Sequence, residues 1–520
     1  MKTTAAALTA ALLATAEANS YVQWEIERRA VGGEEQINRR DTVFRRAAGA
    51  VEEPIKNSVN AYFASVAIGN PGQKFDLQLD TGSSDIWVPA ASSNTCKSKG
   101  GCPGGSYDPK ASSTYKNLGS NTFQISYADE SGAAGDYIQE DFTIAGTLVK
   151  NMTMGLALRT KEVEYGLVGV GYMRNEASTQ APLRKIYPNL PVALQMQGKT
   201  NSIAYSLWLN DKTADKGNIL FGAVDSEKFQ GSLSIMDILP DERINNYTHF
   251  SVPLTSVSAN SSSGNDILTT QETMPITAVL DSGTSLTYLP DDMAKQAWKE
   301  AGAIYNNSPE FGIALIPCEF GENNKASFTF GFAGPNGPKI EVAMRDMVVP
   351  AYKGKARPFP NGPYKGKSIC TFGIQNQTAS EDLPVYLLGD TMLRSAYVVY
   401  DLVNNQIGIA PTKFNAAKSN IVTFDSNGAK IPNGKTIAGG AKKEPTPPTN
   451  QFKAQSGFAS GGGSSTSTIG SNGSNSGSGS DSSNSSNGKG DGKNAAVTTS
   501  ALSGASLLVL LGSVVYAMAF

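Results

Sequence analysis

Residues 75–88 alternate between apolar and polar positions with the period of two that marks a half-buried strand. Phe75, Leu77 and Leu79 are separated by Asp76 and Gln78, and the run ends in Asp80-Thr81-Gly82 before resuming as Ile86-Trp87-Val88. The same strand, turn and strand recur in the second half, where Ala278-Val279-Leu280 enters Asp281-Ser282-Gly283-Thr284 and leaves through Leu286 to Leu289. This is an internal repeat of a half-molecule. Tyr247-Thr248-His249-Phe250-Ser251-Val252 also alternates like a strand. With 53 glycines and only 17% charged residues, the pattern predicts many short strands and turns, an all-β core. A chain of 520 residues with 40% hydrophobic content is long enough for two lobes plus attached segments.

The ends follow other patterns. Met1-Lys2 and the apolar stretch from Ala5 to Ala16, closed by Ala16-Glu17-Ala18, have the form of a signal peptide over residues 1–18. Residues 19–46 show little periodicity and carry Arg28-Arg29, Arg39-Arg40 and Arg45-Arg46, which in an exported chain read as a propeptide cut by a kexin-type processing protease. A linker is expected over 417–455. Residues 456–493 are almost entirely Ser, Gly and Asn and cannot bury enough apolar surface to fold, which predicts a disordered stalk. Asn494-Ala495-Ala496, a short spacer and the apolar tail Ala505 to Phe520 meet the requirements for a GPI signal, with Asn494 as attachment residue and 495–520 removed. These features predict a cell-surface protein held at the plasma membrane by GPI lipid, with the cell wall as the other destination. Sequons at Asn151, Asn246, Asn260, Asn306 and Asn376 fit that route. Four cysteines in an exported chain favour disulfides, and their spacing suggests Cys96 with Cys102 and Cys318 with Cys370, though other connectivities stay open.

Composition narrows the chemistry. The formal net charge of -2 is spread over both signs without a basic stripe, which argues against nucleic acid as ligand. His249 is the single histidine. Zinc-protease motifs need two histidines as ligands and a serine or cysteine triad needs one beside its nucleophile, so His249 is read as structural and proton transfer falls to carboxylates. Hydrolysing a peptide without metal or covalent intermediate requires one group to activate water and another to protonate the carbonyl oxygen. Two carboxylates about 3 Å apart cannot both ionise, so they share a proton and supply both functions. Asp80 and Asp281 are the candidate pair. Gly82 and Gly283 allow close backbone approach, and the hydroxyls of Thr81 and Ser282 are expected to hydrogen-bond across to the opposite loop, with Ser83 and Thr284 completing the two loops.

With these residues in view, the chain resembles the pepsin-like aspartic proteases over residues 60–412, and within them the GPI-anchored fungal yapsins. Phe123 to Gly132 is similar to the family's flap hairpin, with Tyr127 at the flap tyrosine and Trp87 at the tryptophan whose indole holds it. Leu167-Val168-Gly169 and Leu387-Leu388-Gly389-Asp390 match the segments that cross behind the catalytic loops, and the run Met392 to Asp401 matches the signature that follows. Ala128 and Glu130 depart from the commonest pattern, which has Gly at both. The resemblance implies two β-barrel-like lobes, residues 47–227 and 228–416, related by a pseudo-twofold axis with a peptide-binding cleft between them. It implies an acid-active endopeptidase acting on polypeptide substrates as a monomer, with neither metal nor organic cofactor. Asp129 and Glu130 near the flap tip imply acceptance of Lys or Arg before the scissile bond. The rival readings are an inactive peptide-binding relative and a cell-wall structural or adhesive protein.

Overall fold

The computed structural model describes residues 20–30, 60–98, 101–127, 131–179, 184–214, 216–262, 264–270, 274–308, 311–322, 325–352, 356–377 and 385–437. The expected signal peptide, stalk and GPI signal, together with Asn494, lie outside the described residues. So do Asp129 and Glu130 and two of the arginine pairs.

The first half is built from β1 (Val22–Ala30), β2 (Asn60–Ile68), β3 (Gln73–Asp80), β4 (Ile86–Pro89), β5 (Lys116–Ser126), β6 (Gly132–Ile144), β7 (Thr147–Lys161) and β8 (Leu167–Gly169). β2 pairs antiparallel with β3, and β5, β6 and β7 form a long meander whose first hairpin is the predicted flap. The second half has its own eight-stranded sheet around Ser251–Ser261, Ile276–Leu280, Thr287–Pro290 and Tyr386–Leu388. The fold is all-β and bilobal, as the repeat and resemblance imply.

The lobes are less separate than a division at residue 228 suggests. Strands Ala396–Asp401 and Gln406–Pro411, late in the chain, pair with each other, and Ala396–Asp401 also pairs with Tyr205–Trp208 of the first half. Through Lys216–Phe221 that sheet continues into β1 and β2. Core residues of both halves therefore join one cluster, from Leu77 and Ile138 to Phe328 and Ile374.

Two segments differ from the sequence expectation. Residues 22–30, read as lacking periodicity, are a strand: Val22, Trp24 and Ile26 are buried while Gln23 and Glu25 are exposed. β1 lies between β2 and Lys216–Phe221, so Arg28 and Arg29 are strand residues. Arg28 donates to the carbonyl of Lys212, and Arg29 pairs with Asp76 at 2.5 Å and Glu27 at 2.6 Å. The early part of the expected linker is also folded. Ile421–Thr423 pairs with Ala223–Asp225 and Gly434–Thr436 with Leu233–Asp237, because Phe424 and Ile431 bury their side chains against Val399, Tyr397 and Trp208.

Disulfides join Cys96 to Cys102 and Cys318 to Cys370, one per half, leaving no free cysteine. Among the sequons, Asn151 is exposed on β7. By contrast, Asn260 donates to Thr329 at 2.7 Å and Asn376 to Asp291 at 2.9 Å.

Candidate active site

Each candidate aspartate ends a strand that a crossing segment locks in place. β8 pairs parallel with β3 and antiparallel with β4, setting Asp80 opposite Gly169. Tyr386–Leu388 does the same between Ile276–Leu280 and Thr287–Pro290. The glycines that close these segments are required by contact. A Cβ on Gly169 would sit 2.6 Å from the Ser84 nitrogen, and one on Gly389 would sit 2.2 Å from the Thr284 oxygen. Both halves thus press backbone against backbone directly behind an aspartate.

The two loops then bond to each other. Ser282 N donates to Thr81 Oγ1 at 2.9 Å and Thr81 N to Ser282 Oγ at 3.2 Å. Thr81 Oγ1 donates to the Leu280 carbonyl at 3.0 Å and Ser282 Oγ to the Leu79 carbonyl at 3.3 Å. Each hydroxyl therefore reaches the opposite lobe both as donor and as acceptor. Within each loop the aspartate is held identically: Gly82 N donates to Asp80 Oδ1 and Gly283 N to Asp281 Oδ1, both at 2.8 Å. Ser83 Oγ donates to Asp80 Oδ2, and Thr284 Oγ1 to Asp281 Oδ2 at 2.5 Å. On each loop one backbone amide and one hydroxyl hold the carboxylate, each on its own oxygen.

Asp80 and Asp281 are fully buried and interact directly. Burial, followed by the charge of Asp281, raises the Asp80 pKa well above the ordinary carboxylate range. Burial also raises Asp281, against the pull of Thr284, Asp80 and the Gly283 amide. Such a pair retains one proton where isolated carboxylates would have lost both. Behind it sits Asp390, buried with neither oxygen hydrogen-bonded to a described residue, its pKa also raised well above the usual range by burial and by Asp281.

The two aromatic residues assigned to the flap are bonded to each other. Trp87 Nε1 donates to Tyr127 Oη at 2.7 Å, and Tyr127 N closes the hairpin on the Ser131 carbonyl at 2.9 Å. Trp87, Phe123, Ile125, Tyr127, Tyr137 and Tyr187 belong to a small core separate from the main one. Sequence reasoning assigned nothing to Asp85, Glu176 or Asn175, which lie between this core and the catalytic loop. Asn175 Nδ2 donates to the Gly82 carbonyl at 3.1 Å. Glu176 is buried, accepts from Tyr187 N at 2.9 Å, and has its pKa pushed up to about 9 by burial. The only available signal was position, since Asp85 lies five residues beyond Asp80. His249 stands apart, its Nδ1 on Thr248 Oγ1 at 3.0 Å. Among the described residues no cluster of His, Cys, Asp and Glu could hold a metal ion.

The family model for eukaryotic aspartyl proteases matches residues 61–412. A protein of Aspergillus oryzae named probable aspartic-type endopeptidase opsB is 39% identical over 427 residues, covering 81% of this chain and 82% of its own length. An acid protease of Saccharomycopsis fibuligera is 36% identical over 69% of this chain and 83% of its own, and secreted aspartic protease 6 of Candida albicans is 33% identical over 72% and 82%. Among solved structures, an aspartic proteinase from Irpex lacteus superimposes with a TM-score of 0.52 at 22% identity, covering 69% of this chain and 96% of its own, a likeness of fold.

Proposed function

The chain belongs to the eukaryotic aspartyl protease family, and on that premise we propose that it is an aspartic-type endopeptidase in which Asp80 and Asp281 share one proton and activate water. The observation that carries this reading is the pair of buried, mutually perturbed carboxylates held by reciprocal bonds between Thr81 and Ser282. The ionised member takes a proton from water as its oxygen attacks the peptide carbonyl. The protonated member gives its proton to the carbonyl oxygen, forming a gem-diol; the proton taken from water then passes to the amine nitrogen as the C–N bond breaks, and a gem-diol hydroxyl returns a proton to the pair. Tyr127 and Trp87 form the fixed root of a flap that closes over the peptide. Cleavage of a peptide library at acidic pH, inhibited by pepstatin and lost in Asp80→Asn, tests the reading. A folded parent protein without turnover from about pH 3 to about pH 7 contradicts it.

The finer reading is a secreted, GPI-anchored surface enzyme of the yapsin kind. Its support is Ala16-Glu17-Ala18 after an apolar stretch, the Ser/Gly/Asn run and the small residues at 494–496 ahead of an apolar tail. We assign propeptide processing to Arg39-Arg40 or Arg45-Arg46, because Arg28 and Arg29 are tied into β1. Asp129 and Glu130 are assigned a preference for Lys or Arg before the scissile bond, through charge-assisted pairing. Unchanged Lys-to-Leu selectivity in Asp129→Ala would remove that assignment.

A further inference from the structure

Asp85 is a fully buried carboxylate that no step of the proposed chemistry uses, and three donors from two other parts of the lobe converge on it. Tyr137 Oη on β6, the returning flap strand, donates to Oδ1 at 2.9 Å. Tyr187 Oη donates to the same oxygen at 2.7 Å, and Ala177 N donates to Oδ2 at 2.7 Å. Tyr187 and Ala177 belong to the connection that follows β8, the one whose Asn175 is bonded to the carbonyl of Gly82 in the catalytic loop.

The tyrosines also carry the packing. Phe123 of β5 meets Tyr137 edge to face at 5.3 Å between ring centroids, and Tyr137 meets Tyr187 at 5.8 Å. Two residues beyond Asp85, Trp87 holds Tyr127 at the flap. The short stretch Asp85 to Trp87 therefore fixes three things relative to Asp80: the flap's outgoing strand, its returning strand and the connection beside the catalytic loop.

We propose that Asp85 is a positioning residue for peptide hydrolysis, whose three accepted hydrogen bonds set the flap root and the segments around Ala177 and Tyr187 against the catalytic loop. The role rests on the endopeptidase reading. It depends on hydrogen-bond geometry rather than on charge, which separates two substitutions. Asn fits the same space, with Oδ1 accepting from Ala177 N and Nδ2 donating to the tyrosine hydroxyls, which rotate to accept. Ala removes every acceptor and leaves Ala177 N–H and two phenols buried and unpaired.

The test measures kcat and KM on a peptide substrate, per active site titrated with pepstatin, and hydrogen exchange in two segments, that of residues 123–127 with 131–137 and that of residues 172–179 with 184–187. Asp85→Ala is expected to lose about tenfold or more in kcat/KM, mostly through KM, and to exchange faster in both segments, while Asp85→Asn stays within about threefold of the parent. Should Asp85→Ala not fold, Tyr137→Phe/Tyr187→Phe, which keeps the rings and removes two donors, is expected to show the same KM-led loss. A purely structural role lowers only the number of active sites and leaves titrated kcat and KM untouched. That result, or Asp85→Asn failing as badly as Asp85→Ala, would overturn the proposal. A parent protein without turnover would instead overturn the endopeptidase reading beneath it.

Discussion

Thr81→Val isolates the grip between the two lobes. Valine keeps the shape of threonine and removes Oγ1, which accepts from Ser282 N at 2.9 Å and donates to the Leu280 carbonyl at 3.0 Å. Both partners are buried, so each is left without its bond in a site closed to bulk water. An unsatisfied buried polar group costs about 1–3 kcal/mol, so the pair amounts to about 2–6 kcal/mol. Thr81→Ser keeps the hydroxyl and isolates the loss of the methyl group. The assay is urea unfolding at a pH where the parent refolds, alongside kcat per pepstatin-titrated site. Thr81→Val should lose stability on that scale and most of its kcat, because the two loops that carry the carboxylates are no longer tied through Thr81 Oγ1. Combined with Ser282→Ala it should lose less than the sum of the two, since both substitutions break one shared network. A valine variant as stable as the parent, or strict additivity with Ser282→Ala, would refute the reciprocal grip.

Two further predictions concern pH. Glu176 has its pKa raised to about 9 in the fold against an ordinary value of 4.5, so the folded state binds the extra proton and stability declines as pH rises between those values. Glu176→Gln should match the parent near pH 4 and exceed it by several kcal/mol near pH 9 in thermal unfolding; an unchanged difference across the range would contradict the buried neutral carboxyl. His249 carries the opposite sign. Burial lowers its pKa from 6.5 to about 4, so stability is lost as pH falls through that window, and His249→Gln should flatten the acid limb of the unfolding midpoint. An acid limb as steep in the variant as in the parent would show that other groups set it.

What could be read along the chain was what short stretches encode. The Asp80 and Asp281 loops and the crossing glycines are recognisable because each motif specifies its own geometry within a few residues, whereas the Trp87 to Tyr127 bond, between residues forty apart, is implied only by the family resemblance. β1 is masked by its surroundings: Val22, Trp24 and Ile26 alternate for only three apolar positions before Arg28 and Arg29, whose charges break the pattern. Phe424 and Ile431 are isolated apolar residues in a polar stretch, and their reason for burial is Val399 and Trp208, which only the fold brings near. The inter-lobe sheet has the same cause, pairing strands about two hundred residues apart. Asp85 and Glu176 give no sequence signal of burial, because an acidic residue is ordinarily solvated. Nothing local signals that Tyr137, Tyr187 and Ala177 converge on one carboxylate.

The shared proton between Asp80 and Asp281 is tested most directly by the pH dependence of kcat/KM from about pH 2 to about pH 8, in the parent and in Asp281→Asn. The account predicts a bell confined to acidic pH in the parent, bounded by the two apparent ionisations of the pair, and loss of activity in a variant that remains folded. Activity that rises through neutral pH, or that survives in Asp281→Asn, would contradict it.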